Sequence, residues 1–327
     1  MVKAIALLSG GLDSMLAIAI VKAQGIEIEA VNFQTIFGCC KDDARQAAHK
    51  LGVPCTLLKV GDDYLQVVEK PKYGYGRGAN PCVDCRSYMF TLAKKMMEKT
   101  GAEFLISGEV LDQRPMSQKL KDFYRIEEEC SLQKKILRPL SAKRLPLTEA
   151  EEKGWINRTQ LFGIQGRSRR KLLVLAKQFG IEEPPMPSAG CALTSPEFGK
   201  KVKDVFKHHP DYERWQFEIL RMGRHFRLDE KTKVVIARNE NQNSYLETIC
   251  PPEVTLLKCS NFGGPHAVLI GAENPQNLEL AGKLILRYAQ KPLPPECEIE
   301  KTLAGRAEIY LAHRAAEETL VDQLRIV

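Results

Sequence analysis

Cysteines at a defined spacing are the residues of this sequence best suited to chemistry. Cys82 and Cys85 form a Cys-x-x-Cys pair in the segment RGANPCVDCRSYMF, and a third cysteine, Cys191, follows in PSAGCALTSPEF. A structural zinc site normally has four ligands, often as two such pairs, and the sequence contains no second pair. With no apolar run near 18 residues and no secretory cleavage site after MVKAIALLSGG, we expect a cytoplasmic protein without a membrane span. In that reducing compartment, clustered cysteines are better suited to metal binding or catalysis than to disulfides.

The segment SGGLDS has the composition of a phosphate-binding loop. It directly follows a predicted strand and opens a predicted helix. Gly10 and Gly11 let the backbone approach a phosphate closely, Ser9 and Ser14 offer hydroxyl donors, and the helix N-terminus supplies free N–H groups. The segment is neither a Walker A loop nor a G-x-G-x-x-G motif. The alternative interpretation is an ordinary strand–turn–helix corner that is rich in small residues.

SGGLDS matches the pyrophosphate loop of the PP-loop ATP pyrophosphatases, and the chain resembles that family over roughly residues 3–200. The resemblance implies an enzyme that binds Mg-ATP, adenylates a substrate oxygen, releases pyrophosphate and lets a nucleophile displace AMP. It also implies that Asp13 helps to place Mg²⁺ and that the main chain after the second strand contacts adenine. Each strand-end position could instead be an ordinary strand end. The positions that the resemblance assigns to nucleotide binding are Ser9, Gly10, Gly11, Asp13, Ser14, Asn32, Phe33, Ser107 and Gly108.

The cysteine arrangement resembles that of tRNA thiolation enzymes, and NPCVDCRSYMF is similar to a segment of the tRNA 2-thiouridylases. In several branches of that group three cysteines hold a [4Fe–4S] cluster and leave one iron free, which here implies Cys82, Cys85 and Cys191 as ligands. An open iron can bind a sulfide and present it to an electrophile, as a catalytic zinc keeps an open position. Three other interpretations stay open: zinc with a fourth ligand, a metal-free persulfide donor with its resolving partner, and buried thiols. Cys39 and Cys40 are interpreted as a loop end, with an accessory sulfur relay as the alternative.

The function implied by this resemblance is ATP-dependent thiolation of a tRNA uridine. ATP, Mg²⁺ and a [4Fe–4S] cluster are the expected cofactors. The expected partners are tRNA and a sulfur donor (sulfide, a sulfur-carrier protein or a cysteine desulfurase), and a homodimer is left open. Asp84 is interpreted as a solvated loop carboxylate, with orientation of the base or protonation of a leaving group as the alternatives. Two other functions stay open: sulfur insertion into a small molecule, and a zinc-stabilised RNA-binding protein without turnover. The expected catalytic residues are Cys82, Cys85, Cys191 and Asp13.

The pattern of elements predicts an α/β fold and two domains in the 327 residues. Strands alternate with helices in the first half, which argues for a parallel sheet covered on both faces, with ligands at the carboxyl ends of its strands. Residues 181–188, IEEPPMPS, hold three prolines and predict a hinge. The sequence thus predicts a PP-loop domain over residues 1–180 and a smaller α+β domain over residues 189–327.

Basic stretches are the candidates for contact with tRNA. Residues 165–171 read QGRSRRK, with Arg158 close by, and residues 221–227 read RMGRHFR. Arg114 and Gln118, in GEVLDQRPMSQ, are candidates for contact with the nucleotide or the tRNA backbone. The net charge of +7 is compatible with a nucleic-acid partner. Charge runs of this kind are as often solvated surface.

Overall fold

A computed structural model of the chain describes residues 2–38, 43–183, 185 and 190–326. The chain divides into two units, Met1–Thr194 and Ser195–Val327. This division lies beyond the predicted hinge, because backbone hydrogen bonds hold the segment after the hinge in the first unit: Ala79 N–H donates to Leu193 O (2.9 Å) and Ala192 N–H to Phe37 O (3.3 Å). Pro184 and residues 186–188 of the hinge lie outside the described residues. Within the described ranges, no helix is long and apolar enough to cross a membrane.

The first unit is built on a five-stranded parallel sheet, as the sequence predicts. The strand order is β3-β2-β1-β4-β5. Leu7 at the end of β1 pairs with Val31 of β2 and with Ser107 of β4, so the carboxyl ends of these three strands lie side by side. The central strand β1 is a continuous apolar run because both faces of the sheet are covered. The strands are β1 (Lys3–Leu7), β2 (Glu27–Gln34), β3 (Cys55–Lys59), β4 (Phe104–Ser107) and β5 (Ile136–Leu137).

Helices cover both faces of this sheet. The sequence pattern predicts a helix over Tyr88–Thr100, whereas the longest helix, α4, begins at Cys82, which places Cys82 and Cys85 inside it. Pro81 precedes its first residue and Asp84 lies in its first turn, where the helix dipole favours a carboxylate. The helices are α1 (Leu12–Lys22), α2 (Asp43–Leu51), α3 (Asp63–Glu69), α4 (Cys82–Thr100), α5 (Leu120–Glu129), α6 (Glu149–Glu152) and α7 (Arg170–Gln178).

The second unit has a six-stranded antiparallel sheet in the order β11-β10-β8-β9-β7-β6, which agrees with the predicted α+β class. Its apolar core lies between the sheet and α11. Its helices are α8 (Pro196–His208), α9 (Arg214–Glu218), α10 (Glu240–Ile249), α11 (Pro275–Tyr288) and α12 (Glu318–Leu324). Its strands are β6 (Arg224–Arg227), β7 (Lys233–Ile236), β8 (Thr255–Cys259), β9 (Ala267–Ile270), β10 (Cys297–Leu303) and β11 (Arg306–Ala312).

Candidate functional site

The loop between β1 and α1 has the geometry of an anion-binding turn. Gly10 has φ +83°, and a Cβ there would lie 2.7 Å from Cβ of Asp43, so only glycine fits. Gly11 occupies the N-cap of α1, and no side chain caps this end of the helix. The N–H groups of the first turn are therefore available to a phosphate, and the positive end of the helix dipole favours one.

The two serine hydroxyls of this loop bond within it. Ser14 is buried, and its hydroxyl donates to the carbonyl of Gly11 at 2.8 Å. The hydroxyl oxygens of Ser9 and Ser14 lie 3.2 Å apart, and the N–H of Gly11 donates to Oγ of Ser9. These bonds hold the loop in its turn, whereas the sequence suggested that both hydroxyls would face the phosphates. The nucleotide roles of Ser9, Gly10, Gly11 and Ser14 stay predictions.

A second loop, which follows β4, packs directly on the first. A Cβ at Gly108 would lie 2.5 Å from the backbone nitrogen of Ser14, so the two backbones approach too closely for any other residue. Ser107 is buried, and its hydroxyl accepts a hydrogen bond from the N–H of Glu109 at 3.2 Å. The structure thus brings together the two segments that the sequence assigned to one nucleotide site.

The end of β2 is tied to the end of β1. The buried side chain of Asn32 donates from Nδ2 to the carbonyl of Leu8 at 2.8 Å. Asn32 and Phe33 pair with Leu57 and Leu58 of β3. The Asn32 side chain therefore has a structural role, and the expected contact of this main chain with adenine stays a prediction.

Asp13 lies among cationic and amide side chains at the start of α1. Its side chain is hydrogen-bonded to Gln113, and Arg169 and Arg114 are close enough to stabilise its charge. Burial outweighs these contacts and raises the pKa of the Asp13 carboxyl. The residues around this carboxylate come from segments 107–118 and 165–171, which a hydrogen bond from the N–H of Gly166 to the carbonyl of Leu111 (2.8 Å) holds together.

The three cysteines of interest gather around one tyrosine. The hydroxyl of Tyr64, in α3, donates to Sγ of Cys85 at 3.1 Å. Burial, and after it Cys85, Cys191 and Cys82, hold the pKa of Tyr64 well above its usual range. Cys191 is linked to the same place through Phe37, because the Phe37 ring lies 6.4 Å from the Tyr64 ring and the Phe37 carbonyl accepts a hydrogen bond from the Cys191 thiol. Burial also raises the pKa of the Cys85 thiol, against the hydrogen bond from Tyr64 and the charge of Arg86.

The other two thiols are positioned by local contacts. Sγ of Cys82 accepts a hydrogen bond from Nδ2 of the buried Asn80 at 3.0 Å. The thiol of Cys191 donates to the carbonyl of Phe37 at 3.8 Å, so the third cysteine belongs to the first unit. Cys39 and Cys40, which follow Phe37 closely in sequence, lie outside the described residues.

Cys82, Cys85 and Cys191 are not arranged as a set of metal ligands in this structure. Within residues 2–38, 43–183, 185 and 190–326, no group of three His, Cys, Asp or Glu side chains is arranged to hold a metal ion. Cys82 and Cys85 direct their sulfurs at hydrogen-bond donors. The number and type of thiols suit a three-cysteine cluster, but their positions in this structure do not fit one.

Tyr64 and Asn80 are candidate site residues to which the sequence analysis assigned no role. Asn80 immediately precedes the Pro-Cys of NPCVDC, which was a usable signal, whereas nothing in the sequence around Tyr64 marks it. Asp84 is an anchor for the backbone: its carboxylate accepts from the N–H groups of Lys72 (2.8 Å) and Tyr73 (3.2 Å). The Asp84 carboxylate is therefore not a free, solvated group, and its two oxygens are directed at backbone N–H groups and not at a substrate.

Several residues of the basic stretches bond to other side chains of the protein or are buried. Arg158 bonds to the carboxylate of Glu151 at 2.7 Å. In RMGRHFR, Phe226 is fully buried, and burial holds the pKa of His225 well below its usual value. Arg227 pairs with Asp204. These residues have structural roles, in contrast to the RNA contacts suggested by their sequence.

Comparison with family models finds two matches. Residues 2–146 match the family described as the tRNA methyl transferase HUP domain. Residues 223–324 match the family described as the NFACT protein RNA binding domain. The first match lies in the unit with the parallel sheet, and the second match lies in the unit with the antiparallel sheet.

Named relatives agree with the first match. The chain is 26% identical over 228 residues to the tRNA-specific 2-thiouridylase MnmA of Caldicellulosiruptor saccharolyticus, covering 62% of this chain and 58% of the relative. It is 33% identical over 122 residues to that of Acetivibrio thermocellus, covering 31% and 33%. The chain thus spans little more than half the length of the first relative, and less of the second.

Among solved structures, similarity is found to a 4-thiouridine synthetase–RNA complex with bound ATP. The TM-score is 0.39 at 22% identity, over 66% of this chain and 53% of that one. A score this low does not bear on the fold or the function. The sequence matches concern the N-terminal part of the chain: residues 2–146 match the family described as the tRNA methyl transferase HUP domain, and the chain is similar to tRNA-specific 2-thiouridylases over part of their length.

Proposed function

We propose that this protein is an ATP-dependent tRNA sulfurtransferase that thiolates a uridine. The observation that carries the proposal is the convergence of Cys82, Cys85 and Cys191 around Tyr64, in the same unit as a phosphate-binding turn. Sulfur chemistry and nucleotide activation are the two half-reactions that thiolation needs. The relatives' printed names, tRNA-specific 2-thiouridylase, support uridine as the substrate.

The first half-reaction would use the turn at residues 9–14. Its glycines admit the phosphates, and the uncapped N-terminus of α1 offers N–H donors aimed at developing negative charge. ATP bound there would adenylate a uridine carbonyl oxygen and release pyrophosphate. Mg²⁺ near Asp13 would neutralise the phosphates. Binding of the ion would have to lower the raised pKa of the Asp13 carboxyl and replace its hydrogen bond to Gln113.

The second half-reaction would use the three thiols. Burial keeps Cys85 protonated, and Tyr64 supplies the donor that partly offsets this. A [4Fe–4S] cluster on these three side chains would supply an open iron for sulfide, but the thiols would first have to leave the positions described above, which do not fit a cluster. In the metal-free alternative, one cysteine receives sulfane sulfur from a cysteine desulfurase as a persulfide. A second cysteine then forms a disulfide with it, so that the outer sulfur leaves at the sulfide level, attacks the activated carbon and displaces AMP.

The second unit would contribute to tRNA binding. Its match to a family described as RNA-binding supports this, and so does the overall basic charge. A uridine within a tRNA stem or loop would have to leave its stack to reach both centres. We propose a cytoplasmic site of action, with sulfide, a sulfur-carrier protein or a cysteine desulfurase as the sulfur donor.

Nucleoside mass spectrometry tests the proposal. Unmodified tRNA would be incubated anaerobically with the full chain, Mg-ATP and either sulfide or a cysteine desulfurase with cysteine, and then digested. We expect a thiouridine that requires ATP, that Cys191→Ala abolishes and that the control Cys55→Ala leaves unchanged, because Cys55 lies in β3 outside the trio. ATP-independent product, or none from either the iron-reconstituted or the metal-free protein, would refute tRNA thiolation.

Iron and sulfide quantification distinguishes the two forms of sulfur carrier. Four irons per active chain, lost in Cys82→Ala, would support the cluster. Activity in iron-free protein that is supplied with a cysteine desulfurase and cysteine instead of sulfide, and that leaves one disulfide per thiouridine, would support the persulfide.

A further inference from the structure

Two arginines and a tyrosine of the second unit form one cluster. The guanidinium of Arg224, in β6, lies 4.0 Å above the ring of Tyr288, in α11. Arg325, the residue after α12, donates from Nη2 to the hydroxyl of the same tyrosine at 3.4 Å. The ring of the buried Phe226 is stacked on Tyr288 at a centroid distance of 6.3 Å, so the tyrosine is itself held in place. We call Arg224, Arg325 and Tyr288 the arginine–tyrosine cluster.

Hydrogen bonds fix both arginines of the cluster. Nη1 of Arg224 donates to the carbonyl of Ala237 in the loop after β7, at 3.4 Å. The backbone beside Arg325 is attached to β6, because the N–H of Ile326 donates to the carbonyl of His225 at 2.9 Å. The two guanidinium groups are therefore positioned before any ligand binds, and little side-chain freedom remains to be lost on binding.

The cluster has positive charge that no carboxylate neutralises. Within the described residues of the second unit, neither Arg224 nor Arg325 makes an ion pair. By contrast, Arg287 of α11 is paired with Glu318. Burial, together with the charges of Arg238 and Arg325, lowers the pKa of Arg224. Arg325 is exposed and Arg224 is only half-buried, so an anion from solution can reach them and relieve the repulsion.

A guanidinium that lies flat on an aromatic ring suits RNA better than other polyanions. A nucleobase can stack on such a planar group, whereas a lipid headgroup or a carboxylate side chain has no ring to stack. Only an unpaired base has a free face for this contact, because the bases of a duplex cover one another. The match of residues 223–324 to a family described as RNA-binding supports the same class of ligand.

We propose that the arginine–tyrosine cluster binds an unpaired nucleotide of RNA, with the base stacked on the guanidinium of Arg224 and a phosphate paired with Arg325. The inference rests on the proposed function for tRNA as the source of this nucleotide. It goes beyond a general affinity for RNA, because it requires a single-stranded segment and assigns the contacts to two side chains of the second unit.

Binding of a short single-stranded RNA, and of an RNA duplex of the same sequence, to the full chain tests the proposal by fluorescence anisotropy. We expect Arg224→Ala to weaken single-strand binding about tenfold, as the loss of one base stack does, and duplex binding much less. Arg224→Lys should keep the salt dependence but not the affinity, because an ammonium group has the charge without the stacking plane.

Arg325→Ala tests the phosphate contact. It should reduce the slope of log K against log salt concentration by about 0.7, the effect of one phosphate contact with a single strand. Arg287→Ala is the matched control and should bind both RNAs nearly as the unmodified chain does, because its charge is already paired with Glu318. Trp215 fluorescence in urea checks folding, and if Arg224→Ala is unstable, the salt slope of the exposed Arg325→Ala variant decides.

Arginine-specific labelling locates the bound RNA. The single strand should slow modification of Arg224 and Arg325 by phenylglyoxal several-fold, with peptide mass spectrometry as the detector. Arg314, an exposed arginine paired with Glu317, should not be protected. Unchanged single-strand affinity in Arg224→Ala, equal losses for single strand and duplex, or binding of phosphatidylserine vesicles in place of RNA would each overturn the proposal.

These outcomes are independent of turnover. If Arg224 and Arg325 govern single-strand binding in a protein that never makes thiouridine, the proposed function fails and the nucleotide site stands. If the unmodified chain thiolates tRNA while both alanine variants bind single strands normally, the proposed function stands and the nucleotide site fails.

Discussion

A buried ion-pair triad beneath the second loop allows a stability prediction of known size. Arg138 bonds through Nε to Glu109 at 3.1 Å and through Nη1 to Glu127. The side chains of Arg138 and Glu109 are each only 2% exposed, and the guanidinium lies 3.9 Å above the ring of Phe123. Arg138→Met keeps the apolar contact with this ring but removes the cation from Glu127 and the closer of two cations from Glu109, which retains Arg86 at 3.5 Å. Removal of one partner of a buried pair typically costs about 3–5 kcal/mol of unfolding free energy.

The matched control is an ion pair of similar length on the surface of the same unit. Lys134 lies 2.6 Å from Glu152, with side chains 55% and 41% exposed. Because water and salt screen such a pair, Lys134→Met should cost about 0–1 kcal/mol. The comparison isolates burial, since both variants exchange a cation for methionine.

Urea unfolding of the first unit measures the difference. The chain has two tryptophans, Trp155 in the first unit and Trp215 in the second, so each variant is made in a Trp215→Phe background to report on the first unit alone. We expect an unchanged m-value and a midpoint shift at least three times that of the control. If the unfolding free energies of Arg138→Met and Lys134→Met differ by less than about 1 kcal/mol, burial does not strengthen the ion pairs of Arg138 as argued above.

Three further predictions concern single residues. Gly108→Ala places a methyl group 2.5 Å from the backbone nitrogen of Ser14, so the two loops must move apart: pyrophosphate release should fall by about 10²-fold and the unfolding midpoint should drop, and equal rates would refute the contact. Asp84→Asn keeps only one of the two oxygens that accept from Lys72 and Tyr73, so it should lower stability but retain thiolation within about threefold, whereas a proton-transfer role would show a loss of about 10²-fold or more. Burial and the charge of Arg227 lower the pKa of His209 to about 4, so the unfolded chain binds the extra proton between that value and 6.5. Stability of the second unit, followed by Trp215 fluorescence, should therefore fall as pH drops through this window, by on the order of 1 kcal/mol for a half-buried group, and His209→Gln should remove this slope.

Much of the fold was predictable because its signals are local. The strands of the first unit appear as short apolar runs, and Gly10 and Gly11 mark the turn where the backbone must approach closely. The pattern predicts a strand over Lys3–Leu8 and a helix over Pro196–His208, and the structure has them at Lys3–Leu7 and Pro196–His208, because periodicity and turn residues decide such ends. The start of α4 was the exception, since the residues of NPCVDC suit a loop and a first helical turn equally.

Sequence alone determined the residue types: a phosphate-binding turn at residues 9–14, a Cys-x-x-Cys pair and a third cysteine far along the chain. Only the tertiary structure decided that Cys191 belongs to the first unit, that Tyr64 donates to Cys85, and that Asn80 donates to Cys82. The tertiary structure also decided that much of RMGRHFR, which the sequence suggested as a basic surface, lies in the interior of the second unit. The physical reason is the same in each case: these positions depend on packing between segments distant in sequence, and neither spacing nor periodicity encodes such contacts.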